Sequence, residues 1–345
     1  MPNRIYETAV LLTCFNRKAK TTECLRRMVS CAKEYNNSHE DIIRLTVFMT
    51  DDGCTDGTAG AVRDVIGSDV ETNIIQGDGK RYWAGGMRMA WSEAISSGKR
   101  WDFYLLLNDD TIVMDNVFDE LLDAHRHAMR HYSRGGIYSG ITCDTDDHSI
   151  ITYGGDIFNS AAQATSRRVS PTGEPQMVDM FNANILLVTA EVVDEIGIFP
   201  DCYTHSCADN DYCMMAKRNN IPTLVTANVC GICKDDHKTN EEECQALMRM
   251  TMKERIEYTR NPLHSDKDYL NFVRRNMPRK YIVSWIMRKI RLYSPRVYNA
   301  INKARGLYTY GREKEHAHHG KNTGLHTERN RYPISLIGDM TKDHP

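Results

Sequence analysis

Two adjacent carboxylates and an amide, Asn108-Asp109-Asp110, directly follow the apolar run Leu105-Leu106-Leu107. Like charges side by side raise each other's pKa unless something positive sits between them. Mg2+ or Mn2+, which prefer hard oxygen ligands, would serve. Asn and Asp are also ordinary turn formers, so the same residues read equally well as a plain strand-to-turn junction. A second acid-rich stretch runs Thr50-Asp51-Asp52-Gly53-Cys54-Thr55-Asp56-Gly57-Thr58. It lacks both the GxxxxGK[ST] phosphate loop and the GxGxxG fingerprint. Its carboxylates would repel phosphate but suit a nucleobase N–H or ribose hydroxyls. Alternatively, Asp56 or Thr58 opens the helix behind the stretch as its cap.

These acids need elements to hold them. Apolar runs and helical spacing predict strands over Thr8–Cys14, Ile42–Met49, Glu71–Gln76 and Trp101–Leu107. Between them, helices are predicted over Lys20–Tyr35, Thr58–Ile66 and Gly85–Ser97, the last burying Met89, Ala90 and Ile95. Such β-α-β alternation predicts a parallel sheet with right-handed crossovers. Ligands then bind beyond the carboxyl ends of the strands. Asp51/Asp52, Asp78 and Asp109/Asp110 all fall at strand ends, which strengthens the metal or nucleotide reading. The middle of the chain predicts a helix over Asp115–Arg130, strands over Gly135–Cys143 and Ser149–Phe158, and a loop over Ser160–Pro175. Further on come strand Met177–Val188, helices Ala190–Ile196 and Asn210–Asn219, and strand Thr223–Cys230. Beyond residue 240 the pattern is helical: Glu241–Tyr258, Asp266–Arg275, Pro278–Tyr293 and one more from Pro295. The expected organisation is a catalytic domain over 1–240, a basic helical extension over 241–312 and a polar, His-rich tail over 313–345.

The chain has 345 residues, 41% hydrophobic and 26% charged, with a net charge of −2. That is the composition of a globular protein with a sizeable core, and it points to no nucleic-acid partner. The charge is uneven. Residues 272–305 carry Arg274, Arg275, Arg279, Lys280, Arg288, Lys289, Arg291, Arg296, Lys303 and Arg305 and no acid. Ile282, Trp285, Ile286 and Ile290 fall near one face of the Pro278–Tyr293 helix. Such a basic amphipathic stretch predicts either contact with an anionic membrane or a helix packed on the body with a solvated basic face. No apolar run nears the roughly 18 residues that span a bilayer, and the opening residues make no signal core, so a cytoplasmic chain is expected. Eleven cysteines then read as thiols. Cys202, Cys207, Cys230 and Cys233 form a loose set that a structural zinc could use.

Five stretches in order resemble the signatures of family 2 glycosyltransferases. They are Ala9-Val10-Leu11-Leu12-Thr13-Cys14-Phe15-Asn16-Arg17, the Thr50–Thr58 turn, Gly77-Asp78-Gly79 followed by Trp83 and Gly85-Gly86, Leu106-Leu107-Asn108-Asp109-Asp110, and His205–Tyr212 with Gly231-Ile232-Cys233. The third and fifth are similar to a bacterial polysaccharide and rhamnosyltransferase-like subset. The resemblance implies an α/β protein with the GT-A fold: a mostly parallel central sheet flanked by helices, here with a helical C-terminal extension. It implies an inverting, metal-assisted transfer from a UDP- or dTDP-sugar to a glycan or lipid-linked acceptor, at the inner face of a membrane. By position, Asp110 matches the family's metal-binding acid, and Asn108 stands where its first acid often is. Asp51 or Asp52 matches the base and ribose contact. Thr13 and Asn16 fall beside the base pocket, Arg17 near a phosphate, and Asp78 and Asp109 on the donor side. Asp209 matches the base that takes the acceptor proton, in an Ala208-Asp209 pair where the family often has Glu-Asp. Asp211, Trp83 and His205 are candidate sugar contacts; Asp211 could instead cap or anchor its helix, and Trp83 could equally be packed inside. The family often places a metal-binding His after the last strand. Cys230 and Gly231 fill that place here, with His237 further on.

Two other classes compete. A nucleotidyltransferase would carry a Gly-rich basic loop after the first strand, and Cys14-Phe15-Asn16-Arg17-Lys18 has no Gly. A non-catalytic scaffold with a degenerate site is suggested by Asn108 and Ala208.

Overall fold

A computed structural model describes residues 4–158, 166–235 and 239–305. In chain order the elements are β1 (Ile5–Cys14), α1 (Lys18–Ser38), β2 (Ile42–Asp51), α2 (Thr58–Ile66), β3 (Glu71–Gln76), α3 (Tyr82–Ser96), β4 (Phe103–Leu107), β5 (Ile112–Val113) and α4 (Val117–Tyr132). There follow β6 (Ile137–Cys143), β7 (Ile151–Tyr153), β8 (Gly155–Phe158), β9 (Ser166–Arg168), β10 (Gln176–Met177), β11 (Met180–Phe181), β12 (Ile185–Thr189), α5 (Ala190–Ile196), α6 (Ala208–Arg218) and β13 (Thr223–Ile232). The last are α7 (Asn240–Arg249), α8 (Met252–Arg260), α9 (Asp266–Asn276), α10 (Tyr281–Tyr293) and α11 (Pro295–Ala304).

The described residues divide into two compact units: residues 4–155 with 169–235, and residues 156–158 and 166–168 with 239–305. The first is a mixed α/β unit built on a mostly parallel sheet in the order β10-β13-β6-β12-β4-β1-β2-β3. β1, β2, β3 and β4 are mutually parallel, and antiparallel β12 joins β4 to β6. Helices cover the sheet, so its central strands are apolar on both faces. Val10, Leu12, Val47, Met49, Leu105 and Leu107 face the core shared with α1 and α4. Leu11, Phe48 and Leu106, one residue out of phase, are equally buried on the other face. There Trp91 of α3 packs against Tyr104, Phe199 and Tyr212 at centroid distances of 5.4–5.8 Å.

Parallel register puts the functional loops on one edge. Cys14 pairs with Asp51, and Asp51 with Gln76, so β1, β2 and β3 end level. β4 runs alongside with Leu11 opposite Leu106. α3 lies close over this edge because residue 86 is glycine: a Cβ there would come within 2.1 Å of the Thr13 hydroxyl. The Thr50 hydroxyl donates to the Gly86 carbonyl at 2.8 Å.

The structure departs from the expected elements at several points. Ser149–Phe158 is two strands, parted at Gly154, whose φ of 143° lies where L side chains rarely go. Met177–Val188 is three short pieces rather than one strand. Ser166–Arg168, expected within a loop, is a strand that pairs with β8 in the second unit. Glu241–Tyr258 is two helices, because Thr251 starts a new one with a capping box to Glu254. Ile95, expected inside, is exposed.

Candidate functional site

The loop after β1 carries Asn16 in a left-handed conformation, φ 50°. Its side-chain oxygen accepts from the Thr55 amide at 2.8 Å, and its own amide N–H reaches the Cys54 sulfur at 3.2 Å. Asp56 accepts from the Lys18 amide at 3.0 Å and from the Thr58 amide at 3.1 Å. The loops after β1 and β2 are thereby tied together. Asn16 is part of that tie.

Arg17 closes the turn into α1, and one of its guanidinium nitrogens donates to Asp109 at 3.0 Å and to Asp110 at 2.9 Å. Lys20 stands 3.9 Å from Asp110, and the Thr21 hydroxyl donates to Asp109 at 3.3 Å. Burial pushes the Asp109 carboxyl up to about 6, Arg17 pulls it back, and the neighbouring Asp110 adds to the rise. Arg17 is held charged: its acids more than offset the burial that opposes it.

Asn108 is fixed from three sides. Its side-chain oxygen accepts from the Trp83 indole N–H at 2.7 Å, its amide donates to the Asn184 carbonyl at 3.0 Å, and its carbonyl lies 3.4 Å from the Cys24 sulfur. Trp83 is half-buried, with its ring 5.6 Å from Phe199. It therefore acts here as a brace between α3 and the Asn108 loop.

The two acids after β2 have different partners. Asp52 accepts three backbone amides of the β3–α3 loop, Gly79 at 2.9 Å, Arg81 at 2.9 Å and Tyr82 at 3.0 Å. A buried carboxylate so engaged anchors the loop. Asp51 accepts the Cys54 amide at 2.7 Å through one oxygen. Asp78, expected on the donor side, is exposed and pairs with Arg81 at 3.3 Å.

A loop over residues 199–207 leads to α6. Arg88 of α3 donates to the carbonyls of Pro200 and Tyr203 at 3.0 Å each, and the Gly85 amide to that of Thr204 at 3.3 Å. His205 meets Tyr82 edge-on at 6.4 Å. Asp209 is half-buried in the first turn of α6, one oxygen accepting from the Asn210 amide at 2.9 Å. Asp211 was expected to touch the sugar. It is 0% exposed, two residues on from Asp209 and so across the helix from it. Thr21, Cys24, Lys20 and Asn184 are the site neighbours that sequence reasoning did not single out. Thr21 carried a signal, since it lies one helical turn after Arg17.

All eleven cysteines are thiols. Among the described residues no group of three or more His, Cys, Asp or Glu side chains is arranged as a metal site, and His237 lies outside them. Mg2+ and related ions bind through one or two carboxylates with the remaining positions filled by phosphate oxygens and water. Asp110 with Asp109 fits that mode, while a closed all-protein cage does not.

No protein-family model matches the chain, and no curated protein sequence does. Among solved structures it is similar to the mannosyltransferase PcManGT from Pyrobaculum calidifontis in complex with GDP-Man and Mn2+. Identity is 12%, with 93% of this chain and 79% of that one covered and a TM-score of 0.48. It is also similar to S. aureus TarS 1–349 in complex with UDP-GlcNAc, at 13% identity, 90% and 92% coverage and a TM-score of 0.47. At such values the likeness is one of outline, and assignment rests on the residues themselves.

Proposed function

We propose that this protein is an inverting glycosyltransferase of the GT-A type, moving a sugar from a nucleoside-diphosphate donor to a hydroxyl of a glycan or lipid-linked acceptor. The observation that carries the reading is the cluster of Arg17, Asp109, Asp110 and Asn108 beyond the carboxyl ends of parallel strands. A guanidinium and a pair of carboxylates on one loop edge suit a ligand that brings both anionic oxygens and a cation. The Asp-rich turn after β2 supplies the neighbouring acceptor groups that a base and ribose require.

Each residue then has a task. Asp51, with one oxygen engaged in its own turn, contacts the base or ribose of a UDP- or dTDP-sugar, beside Thr13 and Asn16. Arg17 turns from the acids to the diphosphate. Asp110, with Asp109 behind it, would hold Mn2+ or Mg2+, which when bound offsets the charge that develops on the departing diphosphate. Asp209 takes the proton from the acceptor hydroxyl, on the face of the sugar opposite the leaving group. His205 borders the sugar. A lipid-linked acceptor would place the reaction in the cytoplasm, at the inner face of a membrane.

A screen of nucleotide sugars for binding and donor hydrolysis, with Mn2+ and with Mg2+, tests this on wild type, Asp110→Ala and Asp209→Asn. The reading expects one donor class to bind, Asp110→Ala to lose metal-dependent turnover, and Asp209→Asn to keep donor binding while losing transfer by about 10²–10⁴-fold. Absence of any nucleotide-sugar binding would sink the function. Full transfer by Asp209→Asn would sink the base assignment. Binding without turnover on any acceptor would select the scaffold reading, which draws on Asn108.

A further inference from the structure

In the C-terminal unit, α10 is turned inside out. A surface helix ordinarily buries its apolar stripe and shows its charges. Here Ser284, Arg288 and Arg291 face inward, with Arg291 only 4% exposed. Arg288 and Arg291 both reach Asp266 of α9, at 3.3 and 3.1 Å, and Arg291 also pairs with Glu243 of α7. Arg288 lies over the Tyr269 ring at 3.9 Å. A solvated basic face, one of the two expectations for this helix, does not include these two arginines: they pin the helix from beneath.

The outward face is the apolar one. Ile282 is 69% exposed, with Trp285, Ile286 and Tyr293 open along the same stripe, three, four and eleven residues after it. Val297 of α11 is 52% exposed beyond it. Lys289 lies on this face, 5.4 Å from the Trp285 ring, and Arg296 is exposed nearby in sequence. The segment 272–305 has no acid to oppose them.

We infer that this face is a docking surface for a membrane bearing anionic phospholipid headgroups. An isoleucine-and-tryptophan stripe flanked by Lys and Arg, without acids, matches an apolar layer beneath a negative surface. Among the described residues no helix is long and apolar enough to cross a bilayer, so α10 would lie in the interface. The inward ion pairs fix which side of the helix is presented. None of the residues proposed for the donor site belongs to this surface.

Flotation of the full chain with phosphatidylcholine vesicles, with and without about a third phosphatidylglycerol, tests it. The expected result is binding to the anionic vesicles that weakens with added salt. Ile286→Glu abolishes it, and Lys289→Glu with Arg296→Glu weakens it at least 20-fold, taking about 1 kcal/mol, near fivefold, for each basic charge. Circular dichroism melts of these exposed-site variants should match wild type. Asp209→Asn and Asp110→Ala should float like wild type, which separates this surface from the transferase reading. No flotation, flotation unchanged by Ile286→Glu, or a dimer in sedimentation velocity that Ile286→Glu dissociates would each overturn the inference.

Discussion

One guanidinium nitrogen of Arg17 lies 3.0 Å from the Asp109 carboxylate and 2.9 Å from that of Asp110. The arginine is therefore the internal counter-charge to these acids, with which a bound cation would compete. Two outcomes follow for Arg17→Ala. Nucleoside diphosphate binding should weaken by about 10- to 100-fold, the worth of a hydrogen bond to a charged group. Binding of Mn2+ alone, followed by the loss of its free-ion electron paramagnetic resonance signal, should tighten, because the acids lose their internal counter-charge. Unchanged values for both would remove Arg17 from the donor site.

Asn108 accepts the Trp83 indole N–H, a contact that uses an oxygen at this position and no charge. Asn108→Asp keeps that acceptor and adds a third carboxylate beside Asp109 and Asp110. It should raise Mn2+ affinity, measured by calorimetry, and lower the metal concentration needed for half-maximal turnover. Trp83→Phe removes the brace and should leave Asn108 with its side-chain oxygen unpartnered by indole. Its donor KM should rise more than its kcat falls.

Asp52 accepts the amides of Gly79, Arg81 and Tyr82, which hold the start of α3. Asp52→Asn replaces one accepting oxygen with a donor and leaves at least one buried N–H unmet, at a cost of about 1–3 kcal/mol. Thermal melting should fall by several degrees. Hydrogen exchange should quicken over residues 79–83 while the α10 amides stay as protected as before. A loss of nucleotide binding with no change in melting or exchange would instead make Asp52 the base contact.

Much of the parallel sheet was legible because buried strands are apolar on both faces and their carboxyl ends carry acids in sequence. The β-α-β alternation and the shared edge of Asp51 and Asp109 follow from that pattern, whereas the lateral order β4-β1-β2-β3 does not. What was illegible depended on partners distant in sequence. Asp51 and Asp52 are indistinguishable as neighbours, and only amides 27 to 30 residues away give Asp52 its anchoring role. Asp211 is different, since its two-residue offset from Asp209 already places it across the helix. The break in the helix after Arg249 was also written locally, in Thr251 and Glu254. The buried arginines of α10 were not, because charge usually marks the solvent side and here it meets Asp266 and Glu243 inside.

His125 gives a pH dependence that lies apart from the catalytic residues. Its ring sits 3.1 Å from the Tyr138 hydroxyl and edge-on to Phe103 at 5.0 Å. Burial holds its pKa down to about 4, with Arg4 and Arg126 adding to the effect. The unfolded value is about 6.5, so the fold favours the neutral ring. Below pH 6.5 the unfolded chain takes up a proton that the folded one refuses. The stability contributed by neutral His125 is thus complete above about pH 6.5 and is lost progressively as pH falls towards 4. His125→Phe cannot titrate, so its melting temperature should drop less than that of wild type between pH 7 and pH 5. Comparing the two proteins at each pH cancels the other twelve histidines. Parallel melting curves for wild type and His125→Phe across that range would show that the ring titrates at its ordinary value.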